Sequence, residues 1–295
     1  MIYVSIASYR DRELGRTLES MLVNCSKPEL LSVCIIDQDE NFFDSSAFAK
    51  EFGRLQHVKI PWQQARGAGY ARKLAMDRHK DEEYFLQIDS HIYFDESWLE
   101  RILEQYEQIP YEKRIVSIVP PKYVPSRSMV ILEKDPPAEW FRLQHGKNLY
   151  ITGVRQPWDT AACWRESHTI SAAFMFAHSS IIKQVPYDAE IPFWTEEVTM
   201  ALRAYTRGWR IYAIRDVPLY HFYVRPGHTK IWDNTEKTKG RPSWQRLERA
   251  GREKGKEVLL GITKGSYGIA DPVLYRQYQD MIGFSFRDHY RHGGL

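Results

Sequence analysis

The residues whose types and spacing most readily do chemistry are Asp89 and His91, either side of Ser90 in the run Tyr84–Phe94, Tyr-Phe-Leu-Gln-Ile-Asp-Ser-His-Ile-Tyr-Phe. In a β-strand residues i and i+2 share a face, so this spacing predicts that a carboxylate and an imidazole turn toward one cation while Ser90 faces away. One oxygen and one nitrogen ligand suit Mn2+, or a similar divalent ion such as Mg2+, better than Ca2+ or a closed cysteine-rich zinc site. A hydrogen-bonded polar pair closing a strand uses the same residues. Elements that bring further ligands to this point decide between the two.

Those elements begin at the first residues of the chain. Ile2–Ala7 is a β-rich run ending in Ser8-Tyr9-Arg10-Asp11, after which Leu14, Leu18, Met21 and Leu22 recur at helical spacing up to Asn24. Leu31–Ile36 is a continuous apolar run, as expected of a parallel strand covered on both faces, and it ends at Asp37. Val58–Ile60 reads as a third short strand. Gly67-Ala68-Gly69-Tyr70-Ala71-Arg72 then opens a helix running to Asp77, and Tyr84–Phe94 is the fourth strand. Alternating strands and helices predict an α/β protein with an open parallel sheet, whose ligands bind at the carboxyl ends of the strands. Right-handed crossovers would bring Ser8–Asp11, Asp37 and Asp89–His91 to one crevice. Gly67 and Gly69 lack the third glycine and the acidic strand end of a dinucleotide fingerprint, which disfavours a Rossmann dehydrogenase.

Farther on, Glu96–Gln108 has the pattern of an amphipathic helix and Arg114–Val119 that of a fifth strand, stopped by Pro120-Pro121. From 120 to 169 the chain is rich in proline, tryptophan and charge without a sustained period, as expected of a long excursion carrying acceptor-side loops. Ile170–His178 returns to a strand pattern. Thr195 is placed to cap a helix whose first turn holds Glu196 and Glu197, and that helix stops at Gly208 before a strand at Trp209–Ile214. The two glutamates project about 100° apart, so they cannot share one task. A polar loop holds His221, Tyr223 and Arg225. Residues 226–243 read as a linker or mobile loop, and 244–260 and 271–282 as an appended helical element.

Composition limits the function classes. With 295 residues, 43% of them hydrophobic, the chain can fill one large domain with an elaboration, and a net charge of +3 gives no argument for nucleic acid as a partner. Cys25, Cys34 and Cys163 lack metal-finger spacing and sit among apolar or small neighbours, so buried reduced thiols and a reducing compartment are expected. The apolar start has no basic leader and reads as a strand rather than a signal peptide. No window approaches the roughly 20 apolar residues of a transmembrane helix. These features point to a soluble, cytoplasmic protein, and they leave its oligomeric state open.

Taken together, these stretches resemble the glycosyltransferases of the GT-A fold. That fold is a nucleotide-sugar-binding α/β sandwich with a mostly parallel central sheet flanked by helices, here followed by a C-terminal helical extension. Asp89-Ser90-His91 is similar to the Asp-x-His metal motif of the polypeptide N-acetylgalactosaminyltransferases. Trp194-Thr195-Glu196-Glu197-Val198 stands in the order of their Trp-Gly-Gly-Glu-Asn segment, with Thr195 in place of a glycine, and His221 in the order of their later metal-binding histidine. A closer resemblance is to the cytosolic N-acetylglucosaminyltransferases that modify hydroxyproline on a ubiquitin-ligase subunit, and to their bacterial relatives. It is carried by Val4–Asp11, Gly67–Arg72, Leu86–His91, Glu196-Glu197 and Tyr267-Gly268.

The resemblance implies a metal held by Asp89, His91 and His221, and a UDP-sugar donor, with UDP-N-acetylglucosamine as the expected donor and retention of anomeric configuration. It implies a hydroxyl acceptor on a protein or glycan. Ser8, Tyr9, Arg10 and Asp37 would wall the nucleotide. Arg72 would pair with a ligating carboxylate or the diphosphate, Tyr223 and Arg225 would close over the diphosphate, and Glu197, or Glu196, would contact the sugar or the acceptor. Residues 1–225 would form the catalytic domain, divided at 119 into nucleotide and acceptor halves, with 226–295 as linker and helical extension. Two other outcomes fit a similar sheet: a metal-dependent nucleotidyltransferase or sugar-nucleotide hydrolase, and a non-catalytic glycan-binding module.

Overall fold

In the computed structural model, residues 1–126, 129–134, 136–146, 150–233 and 243–291 are described. The chain runs β1 (Ile2–Tyr9), α1 (Leu14–Val23), β2 (Leu31–Asp39), β3 (Arg54–Pro61), α2 (Ala68–Met76), β4 (Tyr84–Asp89), β5 (Ile92–Phe94), α3 (Trp98–Glu107) and β6 (Arg114–Val116). It continues with β7 (Tyr123–Pro125), β8 (Val130–Leu132), β9 (Glu139–His145), β10 (Ile151–Pro157), β11 (Trp164–Glu166), β12 (Phe174–His178), α4 (Ser180–Gln184) and α5 (Glu196–Tyr205). After β13 (Arg210–Ile214) and β14 (Leu219–His221) come the C-terminal helices α6 (Trp244–Leu259), α7 (Pro272–Ile282) and α8 (Phe286–Arg291).

An eight-stranded sheet in the order β11-β13-β6-β12-β4-β1-β2-β3 organises the fold. Alternation along β1 explains the layers on either side. Ile2, Val4 and Ile6 pack with Leu14 and Leu18 of α1 and Trp98 and Ile102 of α3, whereas Tyr3 packs with Ala71 and Ala75 of α2 and Ala201 and Ala204 of α5. A third cluster fastens the C-terminal helices: Val198, Leu202 and Tyr205 of α5 meet Leu259, Tyr278, Ile282 and Phe286.

The sheet is mostly but not wholly parallel. Strand β12 runs antiparallel to both β4 and β6, with Phe174 opposite Ile88 and His178 opposite Tyr84. An apolar run carries no signal of direction, so the reversal was hidden in the sequence. Its effect is local and large: residues 171–173 arrive at the carboxyl end of β4, where the Asp89 N–H donates to Ala173 O at 3.3 Å.

Several expectations are corrected. Tyr84–Phe94 is not one strand; β4 ends at Asp89, the chain turns at Ser90-His91, and β5 pairs antiparallel with β14. The excursion over 120–169 contains two hairpins, β7–β8 and β9–β10, and the edge strand β11. Cys163 is half-buried rather than buried. Thr195 stands at the N-cap position with helical dihedrals, and its Oγ1 is buried without a partner instead of capping. Of the expected linker, residues 234–242 lie outside the described residues. No helix among the described residues is long and apolar enough to cross a membrane.

Candidate active site

Two glycines place the first cation of the site. Gly67 has φ +106°, and a Cβ there would lie 2.6 Å from Pro192; a Cβ on Gly69 would lie 2.1 Å from the carbonyl oxygen of Ile191. Only glycine tolerates both demands, and the close approach is to residues 191–192, leading into α5. This contact sets α2 beside α5, and Arg72 reaches across it.

Arg72 is 3% exposed and holds three groups together. Its Nη2 donates to Asp89 Oδ1 at 3.0 Å and to Ala172 O at 3.3 Å, while Nη1 donates to Glu196 Oε1 at 3.3 Å. The guanidinium also lies 5.6 Å from the Tyr187 ring centroid. Burial pushes the Arg72 pKa down, but the charges of Asp89 and Glu196 help to hold it above the ordinary arginine value. Arg72 therefore remains a cation inside the protein.

On the other side of Asp89 lie two imidazoles. Oδ2 of Asp89 is 3.3 Å from His221 Nε2 and 3.8 Å from His91 Nε2. One ligand atom from each of the three residues lies within 4.8 Å of the others, the only such group of three among the described residues. The antiparallel pairing of β14 with β5, His221 opposite Ile92, makes neighbours of residues 130 positions apart. The rings of His91 and His221 meet edge to face at 4.5 Å. Burial raises the Asp89 pKa, but the His221 hydrogen bond and the Arg72 charge overcome it and hold the carboxyl well below the usual range. Burial pushes His221 down to about 4, so its ring is neutral and able to ligate at neutral pH.

Asp11, which the sequence placed at the strand end without a task, orients this group. Its Oδ2 is 2.8 Å from His91 Nδ1, accepts from Ser90 Oγ at 2.8 Å, and accepts from Arg225 Nη1 at 2.5 Å. Ser90 thus bends to the carboxylate that holds His91, instead of facing away, because the strand has already ended. Burial raises Asp11, but His91 and Arg225 bring it down to about 2. An ionised Asp11 accepts a hydrogen bond from Nδ1–H, which leaves the Nε2 lone pair of His91 directed at the Asp89 carboxylate. Two acceptors facing each other are the arrangement that a divalent cation satisfies, and the N,N,O donor set fits Mn2+.

The cleft around these residues has a volume of about 600 Å³ and is also lined by Tyr9, Glu196, Glu197, Tyr223 and Arg225. Glu197 is half-buried, and its Oε1 accepts from the Ala172 N–H at 2.6 Å. Burial, then the neighbouring Glu196, raises its pKa to about 8. Glu196 is 4% exposed, is raised by burial, and is turned to Arg72. Tyr223 donates to Pro120 O at 2.6 Å and packs 4.1 Å from the His221 ring.

Other expected site residues are separated from the Asp89 cluster. Arg10 and Asp37 line an adjoining groove of about 330 Å³. Asp37 is 2% exposed and already accepts from the Phe43 N–H at 3.2 Å and faces His57 Nε2 at 3.1 Å. Arg10 lies over Trp62, 5.2 Å from its centroid, and 3.5 Å from Glu40. Ser8 is fully buried, lines neither cavity, and its Oγ has no partner. Adjacent strand residues point to opposite faces, which sends Tyr9 into the cleft and Ser8 away from it. Sequence reasoning passed over Ala172 and Trp232, and placed Asp11 at the crevice without a role. The first was unreadable without the reversal of β12, and the last was signalled by its place at a strand end.

Comparisons with known proteins bear on this geometry. No curated protein matches the sequence. In structure the chain is similar to GalNAc-T7, crystallised with UDP, GalNAc and Mn2+, with a TM-score of 0.62 and 14% identity over 99% of this chain and 57% of that one. It is also similar to S. aureus TarS 1–349 in complex with UDP, with a TM-score of 0.51 and 15% identity over 76% of this chain and 61% of that one. The chain thus spans about three fifths of the length of these chains, and the likeness is one of fold, the GT-A fold. The sequence itself matches a family of glycosyltransferases, described as Glycosyltransferase (GlcNAc), over residues 1–53 and 47–282. That match takes in nearly the whole chain and every residue of the Asp89 cluster, and the chain belongs to this glycosyltransferase family.

Proposed function

We propose that the protein is a divalent-metal-dependent glycosyltransferase that moves N-acetylglucosamine from UDP-N-acetylglucosamine to a hydroxyl of a protein or glycan, with retention of configuration. The observation that carries this reading is the convergence of Asp89, His91 and His221, with Asp11 fixing His91 so that Nε2 faces Asp89. GalNAc-T7, of similar fold, was crystallised with UDP, GalNAc and Mn2+, which supports the donor class and the metal. Residues 1–225 would be the catalytic domain, with the nucleotide half before 120 and the acceptor half after it. The buried thiols of Cys25 and Cys34 support a cytoplasmic location.

Transfer breaks the bond from the sugar C1 to the β-phosphate oxygen, whose electron pair leaves with UDP. The acceptor oxygen forms the new bond to C1, and its proton passes to the departing diphosphate. A cation held by Asp89, His91 and His221 would supply Lewis-acid charge for that diphosphate. Arg72 keeps Asp89 ionised and aimed, and Glu196 balances the buried guanidinium. Glu197, protonated at neutral pH, is suited to donate a hydrogen bond to the sugar or acceptor. Arg225 and Tyr223, beside His221, would neutralise and cover the diphosphate, while Tyr9, Arg10 and Asp37 would shape the nucleoside end.

The test is a screen of labelled UDP-sugars with Mn2+, scored for both UDP and the fate of the sugar. Sugar covalently attached to an acceptor is the expected result, whereas release of free sugar whatever acceptor is offered would identify a hydrolase. Calorimetric titration of UDP should show binding that needs Mn2+ and is lost in Asp89→Ala, His91→Ala and His221→Ala. Metal-independent binding in all four proteins would remove the metal from the mechanism.

A further inference from the structure

One side of the cleft is built from aromatic rings that the transfer chemistry does not use. Phe193 and Trp194 lie 4.9 Å apart in an edge-to-face arrangement, Trp232 sits 5.5 Å from Phe193 and 6.2 Å from Trp194, and Trp244 backs Trp232 at 6.0 Å. Phe193, Trp194 and Trp232 all line the same cavity as the Asp89 cluster.

Trp194 departs from ordinary behaviour in two ways. Its φ is +72°, a left-handed conformation that costs a bulky residue on the order of 1–3 kcal/mol and suits glycine or asparagine far better. The residue is nevertheless 54% exposed, so little burial offsets that cost. Lys230 lies over Trp232, 5.5 Å from its centroid, which leaves Trp194 as the ring open to solvent. Glu196 and Glu197 follow after Thr195, and all three side chains, the ring and the two carboxyl groups, line one cavity.

From this arrangement we infer that Trp194, backed by Phe193 and Trp232, is the acceptor platform, and that the acceptor it takes is a pyranose ring of a glycan; the inference rests on the glycosyltransferase reading above. A sugar ring presents an apolar C–H face to stack on an indole and a hydroxyl at its edge to receive the transferred sugar. A peptide acceptor is commonly held by main-chain hydrogen bonds to a strand edge. Residues 193–195 are bends and 231–233 a turn, and these described residues offer no strand edge. Among the described residues, Phe193, Trp194 and Trp232 face the cavity as aromatic surface, with Lys230 beside them.

The experiment offers the full-length protein, with Mn2+ and its UDP-sugar donor, methyl glycosides of common hexopyranoses and, separately, serine- and threonine-bearing peptides. Wild type is expected to glycosylate a methyl glycoside. Trp194→Ala should raise the KM for that glycoside about 3- to 10-fold, with a smaller change in kcat, and Trp194→Phe should recover part of the loss. Trp194→Gly separates platform from scaffold: it should raise the glycoside KM equally while holding or raising Tm, because glycine relieves the left-handed strain. Glycosylation of peptides but of no glycoside overturns the inference and leaves the glycosyltransferase reading intact. So does a glycoside KM within twofold of wild type in Trp194→Ala. Failure of wild type to turn over any UDP-sugar removes both.

Discussion

At the scale of single residues, the site is an arrangement of mutually dependent charges. Asp89 is held by Arg72 on one oxygen and by imidazoles on the other, and Asp11 fixes the imidazole nearest to it in sequence. Glu197, like Glu196, is raised by burial, and its pKa reaches about 8. A pKa raised in the folded state means that folding favours the protonated form. The stability this gives is complete below the unfolded value near 4.5 and is lost as pH rises through 8. The metal-free protein should therefore lose thermal stability between pH 5 and about 9, and Glu197→Gln should flatten that slope; melting curves of the two proteins across this range check it. That Asp89, His91 and His221 belong together was expected from the Asp-x-His spacing and from the resemblance that gave His221 its place, and the three do converge as a candidate metal site. The partner of each was not legible, because the i,i+2 argument assumed that the strand continued through Ser90, and it ends at Asp89.

At the scale of elements, the site exists because three junctions meet. The carboxyl end of β4 supplies Asp89, the reversed entry to β12 supplies the backbone of Ala172 and Ala173, and the α2–α5 contact supplies Arg72 and Glu196. That last contact depends on Gly69. Adding one methyl group there collides with the Ile191 carbonyl at 2.1 Å, a backbone atom that cannot swing aside. Gly69→Ala should cost about 1–3 kcal/mol of stability by overpacking, and it should weaken Mn2+-dependent UDP binding although the residue touches no ligand. Denaturant unfolding and UDP titration of this one variant measure the two effects. The alternation of strands and helices was readable from apolar runs and 3.6-residue periodicity in residues 2–116. The hairpins within 120–169 were not, because strands of three residues, such as Tyr123–Pro125 and Val130–Leu132, are too short to show alternation.

At the scale of the whole molecule, the C-terminal helices extend the wall that steadies α5. Val198, Leu202 and Tyr205 face them, while Glu196 and Glu197 begin the same helix at the cleft. Phe286 is fully buried in that cluster, packed near Tyr278 and Phe284. Phe286→Ala should destabilise the protein by about 3–5 kcal/mol, the cost of truncating a large aromatic in a filled core. A Tm within a degree or two of wild type would show instead that the helices are not part of the cooperative unit. Their helical character was evident from composition, but nothing in the sequence said which face of the catalytic sheet they cover.

The reversal of β12 also places the assembly of the site in time. Strands β1 to β4 and their helices are complete in the nascent chain once residue 89 has been made, yet the strand that closes the open edge of β4 follows about 85 residues later. At ordinary rates of translation, roughly 5–20 residues per second, that edge waits about 4–17 s for its partner, and longer for His221. A half-built sheet with an unpaired edge and a lone Asp-x-His pair is thus an obligatory stage in the birth of each molecule. During that interval the chain is open to pairing with a neighbour on the same polysome and has yet to bring the third member, His221, to its candidate metal site.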